Sequence, residues 1–281
     1  MKEDKIKQIF TDPRAVLLTA VVCSLLWGSA YPCIKIGYRL FQIEEGGAAS
    51  KILFAGIRFT LAGLMTLGAG LAAGGRLGGL RRKSLVSVGL LGLVQTTLQY
   101  VFFYIGLSNT TGVKGSVLNA TGTFLAVLLA HFFCKGERMN GQKAIGCAVG
   151  FAGIIIINLG GGIDAAFRLT GEGFMILAAF SFAVGSLISK KAAQGNDSVM
   201  VTGYQLAAGG VLLLGAGLIG GGGLPVIQWS GVFLLLYLAF LSAAAFSLWT
   251  ILLKYNQVAK VTIYNFLVPV CEMCIRDIHG D

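Results

Sequence analysis

The sequence predicts an all-α polytopic membrane protein. Three observations carry that reading. Of 281 residues, 56% are apolar and only 12% charged; mean hydropathy is +0.79; and the charges fall in short clusters between long apolar runs. A soluble domain carries about 25% charged residues, whereas a helix crossing the hydrocarbon core needs about 20 mostly apolar ones. An ordinary soluble domain and a disordered chain are therefore excluded. The net charge of +10 would suit nucleic acid only if it formed one basic patch. Its scatter makes the lipid bilayer the expected partner, and no nucleic-acid partner is expected.

Nine stretches qualify as spans, near 15–38, 52–74, 84–106, 114–134, 144–160, 172–191, 199–220, 231–253 and 259–275. The first follows a segment, 1–14, that carries Lys2, Lys5, Lys7 and Arg14 and resembles a signal peptide. Its apolar stretch is too long for one and eight more follow, so it reads as an uncleaved first helix. Taking 1–14 as cytoplasmic places 15 Lys and Arg residues in the inner segments. Only Arg39, Lys51 and Arg168 fall in the outer loops. This is the positive-inside pattern, and it predicts a multi-pass protein of the cytoplasmic membrane with its N-terminus inside.

Self-similarity comes next, at offsets of 155, 146 and 145 residues. Trp27 to Lys35 lies over Phe182 to Lys190, Arg58 to Gly63 over Tyr204 to Gly209, and Tyr104 to Leu107 over Trp249 to Leu252. A first copy of five spans starts the second on the opposite side of the membrane, so the pair is inverted, as in many secondary transporters. The expected division is a first repeat over 15–160, a connecting loop over 161–171 and a second repeat over 172–281. The second copy lacks its last helix, and 271–281 loses the apolar pattern. The chain is therefore expected to be truncated, with a non-native tail.

The residues that repeat also carry a resemblance. Trp27-Gly28-Ser29, the run from Arg58 to Gly63, and the block from Tyr104 through Gly136-Glu137-Arg138 to Ile154 resemble EamA-type transporters of the drug/metabolite transporter superfamily. The second copy shows a weaker form ending at Phe266-Leu267-Val268-Pro269. The resemblance covers about 15–270 and implies ten helices with both termini cytoplasmic. The chain departs from it in lacking a second Gly-Glu pair and a tenth helix. It implies a transporter, export more often than import, and says little about the substrate. With the inverted repeat, the reading is a secondary carrier working by alternating access on a small metabolite or drug-like compound, an amino acid or derivative being favoured.

Polar groups inside a bilayer are costly and are functional candidates by default. Lys35, Arg58 and Lys114 lie in the outer halves of their spans. They suggest a basic vestibule for a carboxylate or phosphate; the alternatives are snorkelling and pairing with Glu44 and Glu45. Gln95 and Gln99 share one helix face, as do Ser116, Asn119 and Thr123. Tyr264 and Asn265 lie on the ninth span, and Trp27, Tyr31, Tyr204 and Trp249 add aromatic walls. The alternative for these polar groups is interhelical hydrogen bonding, worth about 0.6 kcal/mol on average. Pro32 and Pro269 free the carbonyls of Gly28 and Asn265, as hinges or as repaired kinks. Gly146, Gly150 and Gly153, and Gly68 with Ala72, offer faces for close helix approach.

Other classes fit less well. A membrane enzyme would need converging His, Asp, Glu or Cys, and His131 has no partner by spacing. Cys271-x-x-Cys274 with His279 lacks a second pair, so no metal is expected. There is no phosphate-binding loop, and no cofactor is expected. No ring of charges marks a channel filter. The expected partners are lipid and a small-molecule substrate, with room for a homodimer.

Overall fold

The computed structural model describes residues 2–43, 47–110, 112–134, 136–158 and 167–271. Glu44, Glu45 and the segment from Glu272 onward, with Cys274 and His279, lie outside them, as do the side chains of Tyr31, Lys114 and Ser116. The described residues form ten helices: α1 (Lys2–Thr11), α2 (Pro13–Leu40), α3 (Ala48–Ala72), α4 (Arg82–Ser108), α5 (Gly112–Phe133), α6 (Gly141–Asn158), α7 (Leu169–Ala193), α8 (Ser198–Ile219), α9 (Trp229–Tyr255) and α10 (Val258–Cys271). Each expected span falls on one of α2–α10. Six of them, α2, α3, α4, α7, α8 and α9, are long and apolar enough to cross a membrane; α10 and the Val117–Phe133 part of α5 are shorter apolar helices.

Local chemistry sets the helix ends. Asp12 accepts hydrogen bonds from the N–H groups of Arg14 and Ala15, at 3.1 and 3.0 Å, with Pro13 following it. Capping and a preset φ together start α2 there. Asp197 starts α8 in the same way, accepting from Val199 and Met200. At the far end of α3, Gly74 takes φ +93°, and the N–H groups of Gly74 and Gly75 return to the carbonyls of Leu71 and Gly70. Gly221 and Gly222 close α8 with the same pair of bonds, to Leu218 and Gly217. This is the left-handed glycine cap, which a Cβ would strain.

α3 and α8 form the central seam. Leu53 meets Gly217, Gly56 meets Leu214, Thr60 meets Gly210, Gly63 meets Ala207, Leu67 meets Gly203 and Gly70 meets Met200. Each step up one helix is matched by a step down the other, so the two run antiparallel. A Cβ on Gly63 would stand 2.3 Å from the Ala207 nitrogen, and one on Gly210 2.3 Å from the Thr60 nitrogen. Only glycine admits backbones this close, and closeness is what holds helices together in lipid. The glycine faces expected from the sequence are mostly elsewhere. Gly68 and Gly153 have nothing within 4 Å, Gly146 meets only Ile263 at 3.9 Å, and Gly150 alone is tight, against Phe266.

Two helices contain π-helical turns that the sequence reading did not anticipate: Gly92–Leu98 within α4 and Leu169–Gly173 opening α7. In α4 the Thr97 hydroxyl lies 3.3 Å from the Gly92 carbonyl of its own helix and 3.1 Å from the Gly209 carbonyl of α8. The widened turn is therefore tied to the neighbouring helix where Gly92 and Gly209 pack together. Such turns recur at functional sites, and this one carries Gln95.

Candidate functional site

One cavity lies between the helices of the two halves of the chain. α2 contributes Trp27, Ala30 and Ile34, spaced to share one helix face. α3 contributes Arg58; α4 contributes Gln95, Gln99, Tyr100, Phe103 and Tyr104; α5 contributes Asn119 and Ala120. From the second half come Phe182, Phe246 and Trp249, and on α10 Asn265, Val268 and Pro269.

The aromatic wall is a packed array. The Trp27 ring meets Trp249 edge-on at 5.1 Å and Phe246 at 5.6 Å, while Tyr100 stands 4.4 Å from Phe59 and 6.1 Å from Tyr104. Edge contacts of this kind hold ring orientation beyond what burial alone provides. The polar groups are less completely satisfied. Gln95 accepts from the Gln205 amide at 3.2 Å. Gln99 Oε1 and Trp249 Nε1 are buried with no hydrogen-bond partner, and the Tyr104 hydroxyl lies beside Tyr38 and Arg58. Buried polar atoms are normally paired, so the two orphans on the wall of one cavity mark a surface shaped for a polar occupant.

Arg58 is the only charged side chain among the described residues lining the cavity. It is 2% exposed, and its Nε donates to Ser242 Oγ at 2.9 Å. Ser242 in turn donates to the Leu238 carbonyl at 2.9 Å, so its oxygen is held facing the arginine. At this depth Arg58 does not snorkel. Sequence reasoning missed Ser242, because a single serine in an apolar helix carries no periodic signal.

The structure does not bring every expected residue to the cavity. Lys35 is exposed; it lies one position beyond Ile34, about 100° further round α2. Thr123 is buried one turn beyond Asn119, its hydroxyl unpartnered. Tyr264 packs into the cluster of Val16, Ala20 and Cys23, where its carbonyl accepts from Ser24 at 3.3 Å. Tyr204 is remote, its hydroxyl accepting from the Gly78 N–H at 3.4 Å. Pro32 lies within an unbroken α2, whereas Pro269 on the cavity wall follows a 3₁₀ turn over Ile263–Phe266. His131 uses Nδ1 to accept from the Met139 N–H at 3.0 Å, a loop-holding role.

At one end of the bundle a polar lock joins the two halves. Lys190 donates to Glu137 at 2.6 Å and to the Asn256 carbonyl at 2.7 Å, and Glu137 Oε2 accepts from the Ala259 N–H. Asn196 extends the lock, accepting from the Arg81 N–H at 3.0 Å and donating to Ser84. The cavity residues Ile34, Arg58, Phe103 and Pro269 lie toward the opposite helix ends, by their positions within α2, α3, α4 and α10. Glu172, at that opposite end, accepts from the Thr110 hydroxyl and the Arg168 N–H, both at 2.7 Å.

The comparisons with known proteins agree with this architecture. The EamA-like transporter family profile matches the chain twice, over residues 14–159 and 169–278. The uncharacterized transporter YvbV of Bacillus subtilis (strain 168) is 29% identical over 278 residues, covering 97% of this chain and 85% of that protein. The uncharacterized inner membrane transporter YedA of Escherichia coli (strain K12) is 27% identical over 254 residues, covering 89% and 78%. A solved crystal structure aligns with a TM-score of 0.79 at 20% identity, covering 95% of this chain and 89% of that one. That likeness speaks for the fold.

Proposed function

Because the chain belongs to the EamA-like transporter family, we propose that it is a secondary carrier working by alternating access. Its cargo is a small metabolite, with an amino acid or derivative favoured, and its direction is export across the cytoplasmic membrane. The observation that carries this reading is the cavity between the two halves, lined by unpartnered polar atoms, with the halves joined at one end by Lys190 and Glu137. A channel would need an open path at both ends; a carrier needs one closed end at a time. The antiparallel match of α3 and α8 supports two inverted repeats rocking about that seam. The excess of basic residues at the Glu137 end supports placing that end, with the N-terminus, in the cytoplasm.

The test is a metabolite comparison of cells with and without the gene, followed by counterflow in vesicles for any compound that differs. Saturable exchange with counterflow is expected. Conductance far above carrier turnover, or chemical conversion of the compound, would overturn the proposal.

A further inference from the structure

We infer that the cavity selects small organic carboxylates, seating the anionic group on Arg58 and the apolar body against Trp27, Phe246 and Trp249. The inference rests on the reading of the cavity as the cargo site. Arg58 lies ten residues inside α3 from Ala48, about 15 Å along the helix, and is 2% exposed. It cannot shed its charge. No carboxylate pairs with it among the described residues; its Nε is hydrogen-bonded to Ser242, and its guanidinium lies beside the Tyr104 hydroxyl and 5.2 Å over the Phe59 ring.

A buried cation left without a counter-ion is unfavourable, so its retention calls for an anion that comes and goes. Ser242 is fixed by its own bond to Leu238. Binding Nε therefore orients the guanidinium, whose two terminal nitrogens carry four N–H donors, more than Tyr104 takes up, in the geometry that suits a carboxylate. The neighbouring polar groups agree. Trp249 Nε1 is a donor, Tyr104 Oη can donate, and Gln99 Oε1 can accept. The cavity wall thus offers donors beyond Arg58 for an anion, and one acceptor for an N–H or O–H on the cargo. The edge-packed rings of Trp27, Phe246 and Trp249 offer the apolar surface that such a cargo would cover.

The experiment uses the full chain in lipid nanodiscs and two probes of matched shape, 3-phenylpropionate and its neutral amide, titrated by calorimetry. Charge-assisted hydrogen bonds lead us to expect the acid to bind at least about tenfold more tightly than the amide. In Arg58→Gln the preference should fall below about twofold. As a readout that needs no variant, modification of Arg58 by phenylglyoxal, followed by peptide mass spectrometry, should be slowed by the acid and not by the amide. Equal binding of the two probes, binding of neither, or modification that the acid does not slow would each overturn the carboxylate site. Acid-selective binding without counterflow would uphold the site and overturn the carrier reading instead.

Discussion

Lys190 and Glu137 meet at 2.6 Å across the two halves of the chain, and Glu137 is almost fully buried while Lys190 keeps about a quarter of its surface in contact with solvent. Glu137 lies in the connection between α5 and α6, and Lys190 stands in the last turn of α7. Each partner also binds backbone near the start of α10, so the pair joins three segments. Glu137→Gln leaves Lys190 without its anion and should destabilise the folded chain by about 1–3 kcal/mol. Glu137→Gln with Lys190→Met should recover part of that loss. Unfolding in mixed detergent micelles measures both, and strict additivity of the two changes would show that the pair is uncoupled.

The seam of α3 and α8 predicts a sharp contrast among glycines. Gly63→Ala and Gly210→Ala each drive a methyl into backbone and should cost at least about 2 kcal/mol. Gly68→Ala, with open space around it, should be neutral or stabilising by up to about 1 kcal/mol, the ordinary helix preference of alanine. Similar losses in all three variants would contradict the packing described.

The position of Gln95 depends on a third glycine. A Cβ on Gly185 would stand 2.7 Å from Gln95 Cβ, an atom with no freedom to swing aside. Gly185→Ala should therefore shift the π-helical turn of α4, costing about 1–3 kcal/mol and altering binding in the cavity. Gln205→Leu removes the amide's bonds to Gln95 and Thr96 without adding a Cβ at the turn, and should cost about 0.6 kcal/mol for each. Calorimetry and unfolding on both variants separate the two effects.

Asn119 faces the cavity from α5. Asn119→Ala should lower counterflow by about threefold to tenfold, the worth of one hydrogen bond, while the protein still inserts and elutes as a folded species. Unchanged counterflow would remove it from the cargo site.

The legible part of the site followed helix register. Trp27, Gln95, Gln99, Asn119, Trp249 and Asn265 are all polar or aromatic groups in apolar helices, and all line the cavity. Lys35 was drawn from the same reasoning and points away, because charge alone does not say which side of a helix faces inward. The tight glycines recur at every seventh position, Gly56, Gly63 and Gly70 on α3 and Gly203, Gly210 and Gly217 on α8. That spacing was present in the sequence, but the faces chosen from it were Gly68 with Ala72 and the α6 glycines.

Sequence by itself determined the membrane class, the placement of the helices and their capped ends, since these rest on local composition, charge clusters and short-range hydrogen bonds. Tertiary structure alone decided which faces meet: the glycine seam, the Arg58–Ser242 bond, the π-helical turn under Gln95 and the Lys190–Glu137 lock. The reason is the solvent. In water a helix advertises its buried face by apolar periodicity, but lipid is as apolar as a protein core, so a membrane helix is apolar all round. Facing is then settled by close backbone contact and by the pairing of a few polar groups far apart in the chain.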